Sequence, residues 1–261
     1  MESAAVHIPG PNHDIEKACR IVAETIMMVG SRIQPGITTI ELDNIAEDNI
    51  LSSNGKPAFK GYVVGNLEFK HSLCISVNEE VVHGVPGARI LQEGDIVSID
   101  CGVEYNGWFG DSAYTFPVGT IDKSVQDLLD VTKESLNLGV RQAKSKNKVY
   151  DIARAVQTHV EKRGYSVVRQ LVGHGIGTHL HEDPAIPNFV PPLLQRSYYP
   201  NEKLRKGQAI AIEPMVNQGT YNVRTLSDGW TVVTADKKPS AHFEHTVLIE
   251  DDGPVILTLM D

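Results

Sequence analysis

The sequence predicts an α/β (α+β) fold made of two copies of one plan, each a helix pair followed by antiparallel strands, with the halves meeting around one central site. Three observations predict it. A helix-spaced segment ends near Gly30 and a second near Gly55, and the same order returns at Gly139 and Gly164 with the same 25-residue gap. The segment Lys206-Gly207-Gln208-Ala209-Ile210-Ala211-Ile212-Glu213 repeats Glu93-Gly94-Asp95-Ile96-Val97-Ser98-Ile99-Asp100, in which a charged residue and a glycine open a short strand ending in an acid. Between alternating segments, Asn106-Gly107 marks a two-residue hairpin turn. Two unrelated lobes would leave the repeated order without a cause.

Taken in chain order, Ile15, Ala18, Val22, Ile26 and Val29 step by three and four and define one face of a helix. The run Asp95 to Val103 then alternates with period two, putting Val97, Ile99, Cys101 and Val103 on one face and Asp100 on the other. With Asn106-Gly107 as the turn, Tyr105 faces Trp108 and Gly102 faces Asp111. Asp100 and Asp111 therefore share a side and lie diagonally, with Cβ atoms roughly 7–8 Å apart or a little less. Val125, Leu128, Thr132 and Leu136, then Val149, Ile152, Val156 and Val160, give the second helix pair. Three glycines around His174, in Gly173-His174-Gly175-Ile176-Gly177, let the backbone approach something closely. A dinucleotide fingerprint does not fit there: the third glycine is one place early, and Pro184, Pro187, Pro191 and Pro192 prevent the helix that would follow. The last strand is expected to run from His242 through Ile249, with Glu244 inside its apolar run.

These elements carry four acids, Asp100, Asp111, Glu213 and Glu244, and one imidazole, His174. Like charges held together in a partly dry place repel, so one must protonate unless a cation sits between them. A wet sheet face carrying Asp100 and Asp111 is the alternative. Four carboxylates and one imidazole form a hard, oxygen-rich donor set that suits Mn(II), Fe(II) or Co(II), and Zn(II) less well. More than three acidic ligands exceed what one ion needs, which favours two bridged divalent ions that acidify a water for hydrolysis.

The strings Ser76-Val77-Asn78-Glu79-Glu80-Val81-Val82-His83-Gly84-Val85-Pro86, Ile99-Asp100-Cys101-Gly102, Gly110-Asp111, Gly173-His174-Gly175-Ile176-Gly177, Ile212-Glu213-Pro214-Met215 and Phe243-Glu244-His245-Thr246 resemble, in order, the signatures of type I methionine aminopeptidases. The resemblance runs from about Ile15 to the C-terminus. It implies a pita-bread fold around a dinuclear metal site and removal of the initiator methionine from nascent polypeptides, with a small second residue preferred. It places the metal ligands at Asp100, Asp111, His174, Glu213 and Glu244, with Asp111 and Glu244 bridging. His83 would contact the scissile amide as a proton donor, His181 would steady the carbonyl oxygen, and Glu213 would carry the proton of the attacking water. Tyr62, Phe69, Cys74 and Trp230 match the positions that line the methionine pocket, bordered by His83. Two departures stand out: the loop from Tyr62 to Cys74 is a few residues longer than in many relatives, and Leu180 stands where relatives often carry phenylalanine.

The global numbers are those of one compact enzyme. A chain of 261 residues, 41% hydrophobic and 22% charged, can build one large core. A single domain is expected over 12–261, preceded by a flexible segment over 1–11. No secretory signal pattern or bilayer-length apolar run is evident, and three unpaired-looking cysteines, Cys19, Cys74 and Cys101, fit reduced thiols, so a cytoplasmic monomer is expected. The formal charge of -9 argues against specific nucleic-acid binding. Lys144, Lys146 and Lys148 form a small basic cluster for which a transient ribosome contact and an ordinary solvated turn are both open readings. Competing functions are a proline-specific peptidase, a type II relative, a glycosidase using paired acids, and a binding module that kept the fold and lost its metals. Only 38 residues separate His174 from Glu213, which leaves little room for the helical insertion of the type II enzymes.

Overall fold

Four helices form, three where the apolar spacing predicts them and one that ends near Gly55 as the repeated order predicts. In the computed structural model, which describes residues 12–260, they are α1 (Asn12–Gly30), α2 (Thr39–Ser52), α3 (Lys123–Val140) and α4 (Val149–Lys162). The segment 1–11, expected to be flexible, lies outside the described residues. Ile15, Ala18, Val22, Ile26 and Val29 are all buried, as are Val149, Ile152, Val156 and Val160. The start of α2 is fixed by a reciprocal cap: the Glu41 backbone N–H donates to Thr38 Oγ1, and the Thr38 N–H donates to the Glu41 carboxylate at 2.8 Å. At the start of α4, Lys148 N–H donates to Asp151 at 2.9 Å in the same way.

The duplication extends below the helices. Thr38 bridges to Ile90 before α2, and Lys148 bridges to Lys203 before α4. Gly94 and Gly207, both at positive φ, then turn the chain into strands Ile96–Tyr105 and Ala209–Ile212. Each strand is central to its own antiparallel sheet. The first lies between Trp108–Pro117 on one side and Leu73–Val77 and Lys56–Pro57 on the other, and the second between Gly173–Gly175 and His245–Ile249. One apolar core packs α1 and α2 on the first sheet through Val22, Ile26, Leu42, Ile75 and Ile99. The other packs α3 and α4 on the second through Leu136, Ile152, Val156, Ile210 and Val247.

The hairpin has the predicted register, with Tyr105 opposite Trp108 and Gly102 opposite Asp111. Asn106 and Gly107 both have positive φ, as a type I′ turn requires. Two expectations need correction. The strand carrying Asp100 does not end at that acid but continues to Tyr105. The run His242 to Ile249 is not one strand: Ser240–His242 and His245–Ile249 pair with Met215–Asn217 and Ala209–Ile212, and Phe243-Glu244 forms the break between them. Opposite the break stand Glu213 and Pro214, and proline has no N–H to continue the ladder. Glu244 N–H instead donates to Ala113 O in the other half at 2.9 Å.

Candidate metal centre

The two halves are stitched together where the acids lie. Thr246 Oγ1 donates to Asp111 O at 2.7 Å and accepts from Asp111 N–H at 3.1 Å, while Ser112 Oγ donates to Glu244 O at 2.5 Å. Thr115 Oγ1 donates to His242 O and accepts from its N–H. Five hydroxyl–backbone hydrogen bonds thus hold the strand of Asp111 against the strand break of Glu244.

Around this seam the structure gathers Asp100, Asp111, His174, Glu213 and Glu244 into one cavity. The wet-face alternative is wrong: Asp100 is 9% exposed, Asp111 4% and Glu244 2%. His174 Nε2 lies 3.9 Å from Asp111 Oδ2 and 3.8 Å from Glu213 Oε1. Its Nδ1 is 2.9 Å from Gly175 O, a carbonyl that can only accept, so Nδ1 carries the proton and Nε2 presents a bare lone pair to the two carboxylates. The flanking glycines allow this: a Cβ at Gly173 would strike Ala211 O, and one at Gly175 would strike Asp183 O.

That arrangement is unfavourable on its own. Burial pushes the Asp100 carboxyl up to about 7. Burial, then the neighbouring charges, pushes Asp111, Glu213 and Glu244 well above the usual carboxylate range. Burial lowers the His174 imidazole to about 4. Asp100 Oδ1, Asp111 Oδ1 and Glu244 Oε1 are buried without a hydrogen-bond partner. Candidate ligand atoms of Asp111, His174 and Glu244 lie within 4.8 Å of one another. Orphaned oxygens, an outward lone pair and mutual repulsion are what a divalent cation would relieve, so the residues fit a metal.

The cluster forms the floor of a cavity of about 390 Å³. Tyr62, Phe69, Cys74, His83, His181 and Trp230 all line it. Phe69 meets Trp230 edge to face with ring centroids 5.3 Å apart. Cys74 sits opposite Asp100 in the sheet, and burial, then the carboxylates, pushes its thiol up, which keeps it neutral and apolar. His83 adopts φ 57°, a left-handed conformation uncommon for histidine, and burial lowers its imidazole to about 4. His181 Nδ1 is 3.1 Å from the Tyr62 hydroxyl, and its ring lies 4.5 Å from that of His174. Leu180 is also in the wall. An adjoining cleft of about 290 Å³ shares His83, His174, His181 and Glu213.

Sequence reasoning missed several residues of the site. Phe59, Leu171 and Val232 complete the apolar wall and carry no polar signature. His242 is 2% exposed with Nε2 3.7 Å from Glu213 Oε2, and burial lowers it to about 3. Its signal was available: it is a histidine two residues before Glu244 in an otherwise apolar run.

Fold and site together define a metal-dependent hydrolase in which two related halves supply one set of carboxylate and imidazole candidate ligands. The chain belongs to metallopeptidase family M24, whose profile matches residues 13–251, and within it to the methionine aminopeptidases. It is 50% identical over 244 residues to methionine aminopeptidase 1 of Bacillus subtilis, covering 94% of each. The crystal structure of methionine aminopeptidase from Thermotoga maritima superimposes with a TM-score of 0.90 at 41% identity, over 97% of this chain and 98% of that one. Prolidase from Pyrococcus furiosus shares the fold, with a TM-score of 0.74 at 24% identity over 95% of this chain and 63% of that one.

Proposed function

We infer that this protein removes the initiator methionine from nascent polypeptides, using Asp100, Asp111, His174, Glu213 and Glu244 to hold two divalent ions, with Mn(II), Fe(II) and Co(II) suited better than Zn(II). The observation that carries this reading is that the buried acid and imidazole cluster opens directly onto an apolar, thioether-compatible cavity. When bound, the ions supply positive charge that keeps the carboxylates ionised and acidifies a water at the scissile bond.

The remaining work falls to the side chains. The methionine side chain packs among Phe69, Cys74 and Trp230, which restrict its size. His181, with the Tyr62 hydroxyl donating to Nδ1, carries its proton on Nε2 and donates it to the carbonyl oxygen as negative charge develops there. His83, neutral at physiological pH, holds the scissile amide by a hydrogen bond and hands on a proton only as it receives one. Glu213, whose carboxyl is raised by burial, takes the proton of the attacking water and returns it toward the leaving nitrogen. A small second residue fits this confined geometry.

The test is release of methionine from Met-Gly-Met-Met by the Mn(II)-loaded protein, beside Leu-Gly-Met-Met and Met-Leu-Met-Met. Methionine released from the first at least about tenfold faster than product from the others is expected; leucine released as readily would reject the pocket. The basic cluster of Lys144, Lys146 and Lys148 is exposed between α3 and α4, which also suits an ordinary solvated turn. If it meets the ribosome, changing all three to glutamate weakens co-sedimentation while peptide hydrolysis persists; unchanged co-sedimentation rejects the contact.

A further inference from the structure

The stretch between Tyr62 and Phe69 is a small hairpin, with Val63–Val64 paired to Leu67–Glu68 and closed at its base by Phe69 N–H donating to Tyr62 O at 2.8 Å. Val64 is paired with Leu67, and Tyr62 stands beside Phe69 at the base, so all four share one face by the alternation of strands. Tyr62, Val64 and Phe69 line the cavity, which fixes that face as the inner one. Exposure along it rises from Phe69 at 3% through Tyr62 at 38% and Leu67 at 44% to Val64 at 55%. The apolar wall therefore continues out of the methionine pocket into solvent. Across the mouth stand Thr225 and Gly229, and Leu67 lies so close over Gly229 that a side chain there would collide with it. Val64 and Leu67 thus extend the apolar wall beyond the cavity, where a ligand emerging from it would cover them.

We propose that the inner face of this hairpin is a subsite for the third and fourth residues of the polypeptide substrate, selecting apolar over charged side chains there. The inference rests on methionine removal as the activity. A chain whose first residue is sunk beside Trp230 must leave through the mouth, and Val64 is the most exposed large apolar residue of that wall. The adjoining cleft beside Glu182 and Asp183 offers a more polar route.

The experiment compares kcat/KM of the metal-loaded protein and of Val64→Asp and Val64→Lys on Met-Gly-Leu-Leu, Met-Gly-Asp-Asp and Met-Gly-Lys-Lys. The unchanged chain should favour the leucine peptide. The two variants should shift the aspartate-to-lysine ratio in opposite directions, about fivefold apart, and less at high salt. Loss of packing would depress both charged peptides alike and cannot reverse the ratio. An identical ratio in all three proteins, with methionine still released, would overturn the subsite and leave the activity standing. No methionine released from any peptide by the unchanged chain would overturn the activity and the subsite with it.

Discussion

Tyr62 shows how much of this site depends on a single hydroxyl. Its contact with His181 Nδ1 at 3.1 Å anchors that imidazole and, with the hydroxyl donating, leaves the proton on Nε2. Tyr62→Phe is expected to lower kcat roughly two- to tenfold, the worth of one hydrogen bond, with little change in KM; steady-state kinetics on Met-Gly-Met-Met would check it. The metal-ligand candidates were the easiest residues to read because strand alternation fixes direction: once Asn106-Gly107 is the turn, Asp100 and Asp111 can only converge. His174 was legible through its glycines. His242 was marked only by its place two residues before Glu244, and Phe59 was hidden because apolar wall and apolar core look alike in sequence.

At the scale of elements, the helices followed from apolar spacing and from the glycines near their ends. Thr38→Ala should remove the side-chain half of the cap on α2, costing about 1 kcal/mol and lowering the melting temperature by about 2–4 °C, as read by thermal unfolding. The break at Phe243-Glu244 was not legible, because strand-like residues continue on both sides and only the opposing segment, with Pro214, shows why pairing stops. The longer loop from Tyr62 to Cys74 contained its own hairpin signal in Gly65-Asn66, and its effect on the mouth of the cavity depends on contacts with Gly229 that are remote in sequence.

The whole molecule is two packed halves joined across a cluster of buried acids that repel one another until a cation is present. Among the described residues no helix is long and apolar enough to cross a membrane, and the three cysteines are free and buried. The strain at the seam gives the metal-free protein a distinctive pH dependence. Asp100, raised to about 7, and the other three acids bind protons in the folded state that the unfolded chain releases near its ordinary carboxylate values. Their stabilisation is therefore present at low pH and lost as pH rises through the folded values. The lowered histidines act oppositely, but only below about 6.5, where the unfolded imidazoles charge. Between pH 6.5 and about 8.5 the stripped protein should melt at progressively lower temperature, and Mn(II) should abolish the slope; a flat profile without metal would count against the buried acids. Whether these acids hold the catalytic metal is decided by stripping the protein with chelator, restoring Mn(II), Co(II) or Fe(II), and measuring methionine release from Met-Gly-Met-Met beside Asp100→Asn. If they do, release ceases on stripping, recovers on restoration, and falls at least about a hundredfold in the variant whichever ion is supplied. Full activity in chelator, or an unaffected variant, would show that they do not.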